Sequence, residues 1–113
     1  MEYRFKVWLE KEGQPVLGDG LLHLLTMIRQ HGSIRKAAGE MKMSYRQAWG
    51  NIKKAEDRLG INLLIKQIGG EAGGGAQLTP EAEMFIERYR EFRSEVDSAV
   101  RESFRKFFEP GES

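Results

Sequence analysis

The chain has 113 residues, 40% hydrophobic and 31% charged, and no cysteine, which excludes disulfides, thiolate metal sites and a cysteine nucleophile. Its longest apolar stretch, Leu21 to Ile28, is too short to span a bilayer, and the start has no signal-like apolar region; a cytoplasmic protein without a membrane partner is expected. The net charge of +1 hides a basic middle: residues 29–66 hold nine basic and three acidic side chains, between segments of net −1 and −4. On charge alone, a polyanion-binding face and an ordinary solvated surface both remain open.

In chain order, Tyr3, Phe5, Val7 and Leu9 alternate with Arg4, Lys6, Trp8 and Glu10, the period of a half-buried strand. Residues 11–14 read as a turn and Pro15-Val16-Leu17 as a return strand, giving an N-terminal β-hairpin over residues 1–17. Residues 18–60 then predict three helices. Asp19 is placed to cap the first, which carries Leu21, Leu24, Leu25 and Ile28 on one face and ends at Gly32. Ser33 caps the second, with Ile34, Ala37, Ala38 and Met41 facing inward. The third opens on Ser44 with Gln47 three residues on, a capping-box pattern, and stops at Gly60.

After Gly60, Asn62–Ile68 and Ala76–Thr79 read as two strands on either side of a glycine cluster, so residues 61–79 form a hairpin. The cluster contains no G-x-G-x-x-G and no glycine followed by Lys-Ser or Lys-Thr, so the nucleotide-loop readings lack their defining contacts. Thr79-Pro80 starts a helix over 80–108, with Pro at its first position, and residues 109–113 are expected to fray. One domain accounts for the whole, with no effector-binding domain expected after the last helix.

Two short helices around a tight turn, then a hairpin and a helix, describe a winged helix-turn-helix: an α+β, mainly α fold with a long C-terminal helix. In such a unit the second short helix enters the major groove. With Ala48, Ile52, Ala55 and Leu59 toward the core, Tyr45, Arg46, Gln47, Gly50, Lys53 and Lys54 lie toward the exposed side. Arg46 and Gln47 carry the forks that read guanine and adenine edges, and Gly50 lets the backbone approach the duplex. Lys53 and Lys54 are better suited to phosphates. Ser33 and Arg35 frame a further phosphate site, Ser44 opens the reading helix, and Lys66, Gly70, Gly73 and Gly74 belong to the wing. Trp49 reads as a core or helix-packing residue or as part of this face.

These residues also carry a family resemblance. HGSIRKAAGEMKMSYRQAWGNI followed by GGEAGGGAQLT resembles the DNA-binding domain of the molybdate-responsive ModE repressors and, more loosely, the LysR-type winged helix. The resemblance implies a homodimer bound to a promoter operator. No cofactor is expected, and molybdate binding is not expected on this chain, since the family's oxyanion site lies in separate domains.

Dimerisation has its own argument. Phe85, Tyr89, Phe92, Val96 and Ala99 form a stripe suited to a helix–helix seam, or alternatively to a helix folded back on its own domain. An enzyme is not expected: His23, set among leucines, and His31 have no ligand pattern near them, and the carboxylates form no acid/base pair. The rival function is a winged-helix interaction module that docks an effector or partner through its last helix.

Overall fold

The computed structural model describes residues 1–67, 75–109 and 111. Strands β1 (Trp8–Lys11) and β2 (Gln14–Gly18) pair antiparallel and are followed by helices α1 (Asp19–His31), α2 (Ile34–Glu40) and α3 (Tyr45–Leu59). Strands β3 (Leu64–Gln67) and β4 (Gly75–Leu78) pair antiparallel in turn, and α4 (Pro80–Phe108) completes the order. The mainly α winged-helix architecture read from the sequence is present.

Local chemistry sets most boundaries. Glu12 and Gly13 both adopt positive φ, 53° and 78°, the conformation that closes a two-residue hairpin with the right twist. At the other end of that hairpin, a Cβ on Gly18 would come within 3.1 Å of the Trp8 Cβ, so any larger residue there would push the paired strand by a few tenths of an ångström. The Ser33 hydroxyl accepts from the Lys36 N–H at 3.2 Å, Ser44 from Gln47 at 3.0 Å and Thr79 from Ala82 at 3.0 Å, as the three caps require. Gly32 and Gly60 end α1 and α3 at left-handed positions.

The expected cap on α1 is corrected. Gly18 occupies the N-cap position without a side-chain cap, and Asp19 is the first helical residue. Its carboxylate faces α4 instead, 3.2 Å from the Tyr89 hydroxyl and 3.6 Å from Arg93 Nε. The first strand is also shorter than its alternation predicts. Residues 1–7 lie outside the ladder, because β2 turns into α1 after Gly18 and offers them no partner. They run along α4, where Phe5 lies under the Arg93 guanidinium at 4.8 Å and Tyr3 packs on Phe104 at 4.8 Å. Burial still alternates there, with Phe5, Val7 and Leu9 half-covered.

The core joins Leu24, Leu25 and Ile28 of α1 to Ala37 and Ala38 of α2 and to Ala48 and Ile52 of α3, closed by Leu63, Ala76, Ala82 and Ile86. The paired alanines let α2 cross closely. Only the first third of α4 joins this core: Ala82, Ile86 and Tyr89 are its buried residues. At 1.5 Å per residue its 29 residues run about 43 Å. The molecule accordingly measures 62 Å against 29 and 22 Å across.

Candidate nucleic-acid interface

Helix α2 braces α3 through a turn of four residues. The Met41 N–H donates back to Ala37 and Ala38, the Met43 N–H donates to Ala38 at 3.0 Å, and Lys42 takes a left-handed φ of 56°. This closes α2 and re-aims the chain into Ser44, whose capping hydroxyl starts α3. The apolar face of α3 (Ala48, Ile52, Ala55) is buried, so its opposite face looks outward by helical geometry. Arg46 and Gln47 are exposed on that side. A Cβ added at Gly50 meets nothing within 4 Å, so the domain itself does not need glycine there.

Tyr45 is half-buried against the core, and the Arg35 guanidinium lies 5.0 Å from its ring centroid. Arg35 and Tyr45 therefore form one unit that joins the start of α2 to the start of α3. Ser33, Arg35, Ser44, Tyr45, Arg46 and Gln47 thus sit at adjoining helix starts. Trp49 packs half-buried against the core, as the commoner reading of such a tryptophan has it.

The two lysines separate. Lys53 Nζ sits 5.4 Å from the Trp49 ring and 3.2 Å from Glu56 Oε1, so its charge is partly balanced within the domain. Lys54 is exposed on the other flank of α3, beside Asn51 and Arg58. Two further cations of the basic block are also engaged. Arg29 pairs with Glu83 of α4 at 2.7 Å, and Arg58 donates to the Pro15 carbonyl at 2.6 Å. Among the described residues, the cations left facing outward around the α2–α3 unit are Arg35, Lys36, Lys42, Arg46 and Lys54.

The hairpin of β3 and β4 is fixed to this unit from both sides. Glu56 Oε2 accepts from the backbone N–H groups of Leu63 at 2.7 Å and Leu64 at 3.3 Å, locking the start of β3 to α3. The Ala76 N–H donates to the Gly32 carbonyl at 2.9 Å, tying β4 to the α1–α2 corner. Thr79 closes the base, its hydroxyl donating to Asn62 O at 2.6 Å. Gly70, Gly73 and Gly74, assigned to the wing, lie outside the described residues, and of Lys66 only the backbone pairing with Ala76 is described.

Glu56 is the positioning residue that charge patterning hides. It reads as one more solvated carboxylate, yet it sits four residues after Ile52 and three before Leu59, on the apolar side of α3. That spacing was its signal.

Tyr89 belongs to the fold. It is 2% exposed, and its hydroxyl reaches both Val7 O and Asp19 Oδ1 at 3.2 Å, which leaves it little surface for a partner. Phe92 is 43% exposed, Ala99 is exposed, and Phe85 and Val96 are half-buried. His23 is exposed, and no described helix is long and apolar enough to cross a membrane.

A braced helix with an exposed polar N-terminal half, flanked by a tethered two-stranded hairpin, defines a winged helix-turn-helix domain of the DNA-binding class. Residues 20–83 match the model of the bacterial regulatory helix-turn-helix protein, lysR family, and the chain belongs to that family. It is 33% identical over 92 residues to the molybdenum transport protein ModE of Azotobacter vinelandii, covering 81% of this chain and 34% of that protein. To the transcriptional regulator ModE of Haemophilus influenzae it is 38% identical over 68 residues, covering 60% and 27%. The chain therefore spans about a third of the length of the curated relatives it matches.

Solved structures agree on the fold. The DNA-binding domain of CbnR, in complex with DNA, superposes with a TM-score of 0.58 at 20% identity, over 77% of this chain and 94% of that one. The BenM DNA-binding domain on benA site 1 DNA gives 0.54 at 26% identity, over 76% and 91%.

Proposed function

We infer that this chain is the DNA-binding part of a transcriptional regulator, acting in the cytoplasm on double-stranded operator DNA as a homodimer and without catalysis. The observation that carries the reading is the solvent-facing start of α3, with Arg46, Gln47 and the bare Gly50 presented by a helix braced at Ser33–Tyr45. The relatives named as ModE and the domains solved on DNA support it. In this reading Arg46 and Gln47 face base edges, and Arg35, Lys53 and Lys54 face phosphates. The hairpin at 61–79 acts as the wing, with Lys66 and the glycines of its tip against the duplex. Residues 1–113 act as one domain, with no molybdate site assigned within them.

The unburied two-thirds of α4 supports the homodimer. Phe92, Phe107 and Phe108 are 43, 66 and 60% exposed, too much apolar surface on one helix to favour water. A two-fold seam along Phe92, Val96 and Ala99 sets two copies of α3 about 34 Å apart, one turn of B-DNA. The same exposed residues favour the alternative, an interaction module docking another protein.

Selection of bound fragments from genomic DNA separates the two. The regulator reading expects a palindrome with half-sites one helical turn apart, and Phe92→Glu should recover single half-sites only. A pool without any shared sequence would leave the interaction module standing.

A further inference from the structure

Behind the reading face, between β2, α1 and α3, lies an apolar groove of about 280 Å³. Leu17, Leu21 and Leu24 form its floor and inner wall, and Met41 and Met43 of the α2–α3 turn close one end. Its polar side chains all come from α3: Asn51, Lys54 and Arg58. Two cations and Asn51 border a lining that is apolar elsewhere, and no carboxylate joins it among the described residues. Arg58 is held by the Pro15 carbonyl, and no described side chain forms an ion pair with Lys54.

We propose that this groove binds a small amphipathic anion: a short aliphatic or single-ring carboxylate whose apolar body lies on Leu21 and Leu24 and whose carboxylate meets Lys54. Charge complementarity selects the class. An apolar body with a neutral head gains nothing from the Lys54 ammonium, and an inorganic oxyanion leaves the leucines and methionines uncovered. Size agrees, since a groove of about 280 Å³ has room for a short chain or a single ring. The site lies beyond the operator reading and does not depend on it, but it touches the same helix. A carboxylate on Lys54 withdraws that ammonium from a DNA phosphate, so occupancy weakens DNA binding, and by reciprocity DNA weakens occupancy.

The test uses hexanoate as probe and hexanol as its neutral counterpart, followed by amide and methyl NMR on the protein without DNA. Hexanoate should shift resonances of Leu21, Met41 and Lys54 with a Kd in about the millimolar range, and hexanol should bind about three- to fivefold more weakly. Lys54→Gln should weaken hexanoate by about three- to fivefold, the scale of an exposed ion pair, and leave hexanol unchanged. Gly20→Leu provides a second variant. Gly20 lines the groove, and a Cβ there meets nothing within 4 Å, so the backbone accepts a side chain at the groove's edge, where leucine competes with the probe for the apolar lining. It should abolish hexanoate binding. Equal binding of hexanol and hexanoate, no shifts at these residues, or undiminished binding to Gly20→Leu would each overturn the proposal. Groove shifts that follow protein concentration instead of hexanoate would also overturn it, by giving the groove to a second copy of the chain.

Discussion

Arg46 and Gly50 face outward from α3 for reasons that separate stability from recognition. The domain makes no use of Gly50's missing side chain, since a Cβ there has open space around it. Gly50→Ala should therefore raise stability by about 1 kcal/mol, the usual gain for alanine over glycine inside a helix. Close approach of the duplex predicts the opposite sign for binding, with weaker affinity for operator DNA. Thermal unfolding and a binding titration on the same sample check both, and unchanged affinity would remove the close approach at this position. Arg46→Ala should lower the preference for operator over random DNA by about 1–3 kcal/mol, where Lys54→Ala should weaken both alike. A uniform loss for Arg46→Ala would make it a backbone contact.

At the scale of elements, what the sequence made legible was what neighbours in sequence decide. Ser33, Ser44 and Thr79 cap their helices because each hydroxyl meets an N–H three residues on, and that spacing is visible in one dimension. Asp19 misled because it has the same chemistry at a helix start, while its partners, Tyr89 and Arg93, lie about seventy residues away. Tyr3 and Phe5 misled similarly, alternating like a strand but packing on Phe104 and Arg93 of α4. On the reading face, the outward set on α3 followed from the positions of Ala48, Ile52 and Ala55. The role of Glu56 in holding β3 did not, since its partners, the Leu63 and Leu64 N–H groups, depend on how the chain returns to α3.

The Asp19–Tyr89–Arg93 cluster binds the N-terminal segment, α1 and α4 together, and it carries a pH signature. Burial, followed by the nearby Asp19 carboxylate, raises the Tyr89 pKa above its ordinary 10.0. The Asp97 and Asp19 carboxylates outweigh burial at Arg93 and keep it firmly charged. A raised phenol pKa means the unfolded chain loses its proton first. Stability is then complete below about pH 10 and falls as pH rises from there through the folded pKa. Tyr89→Phe should lose about 1 kcal/mol near neutral pH, from the hydroxyl's hydrogen bonding to Val7 and Asp19. It should also flatten the alkaline decline. Denaturant unfolding from pH 8 to 11 checks this, and an equal alkaline slope in both proteins would contradict it.

For the whole molecule, the elongated shape, the basic α2–α3 unit and the two-thirds of α4 that lie beyond the core fit together in one account. The net charge of +1 predicts little affinity for a polyanion, yet the cations are concentrated around α3 while the carboxylates populate α4. DNA binding in this account is local electrostatics on a nearly neutral protein, steered by the face that the fold exposes.

Its central claim is tested most directly by titrating a duplex that carries the selected palindrome, beside a scrambled duplex, over a range of salt concentrations. Arg35, Lys53, Lys54 and Lys66 from two protomers give eight phosphate contacts, so the logarithm of affinity should fall against the logarithm of salt with a slope of about −7. The palindrome should remain preferred throughout. Undetectable binding to either duplex at low salt would contradict the account.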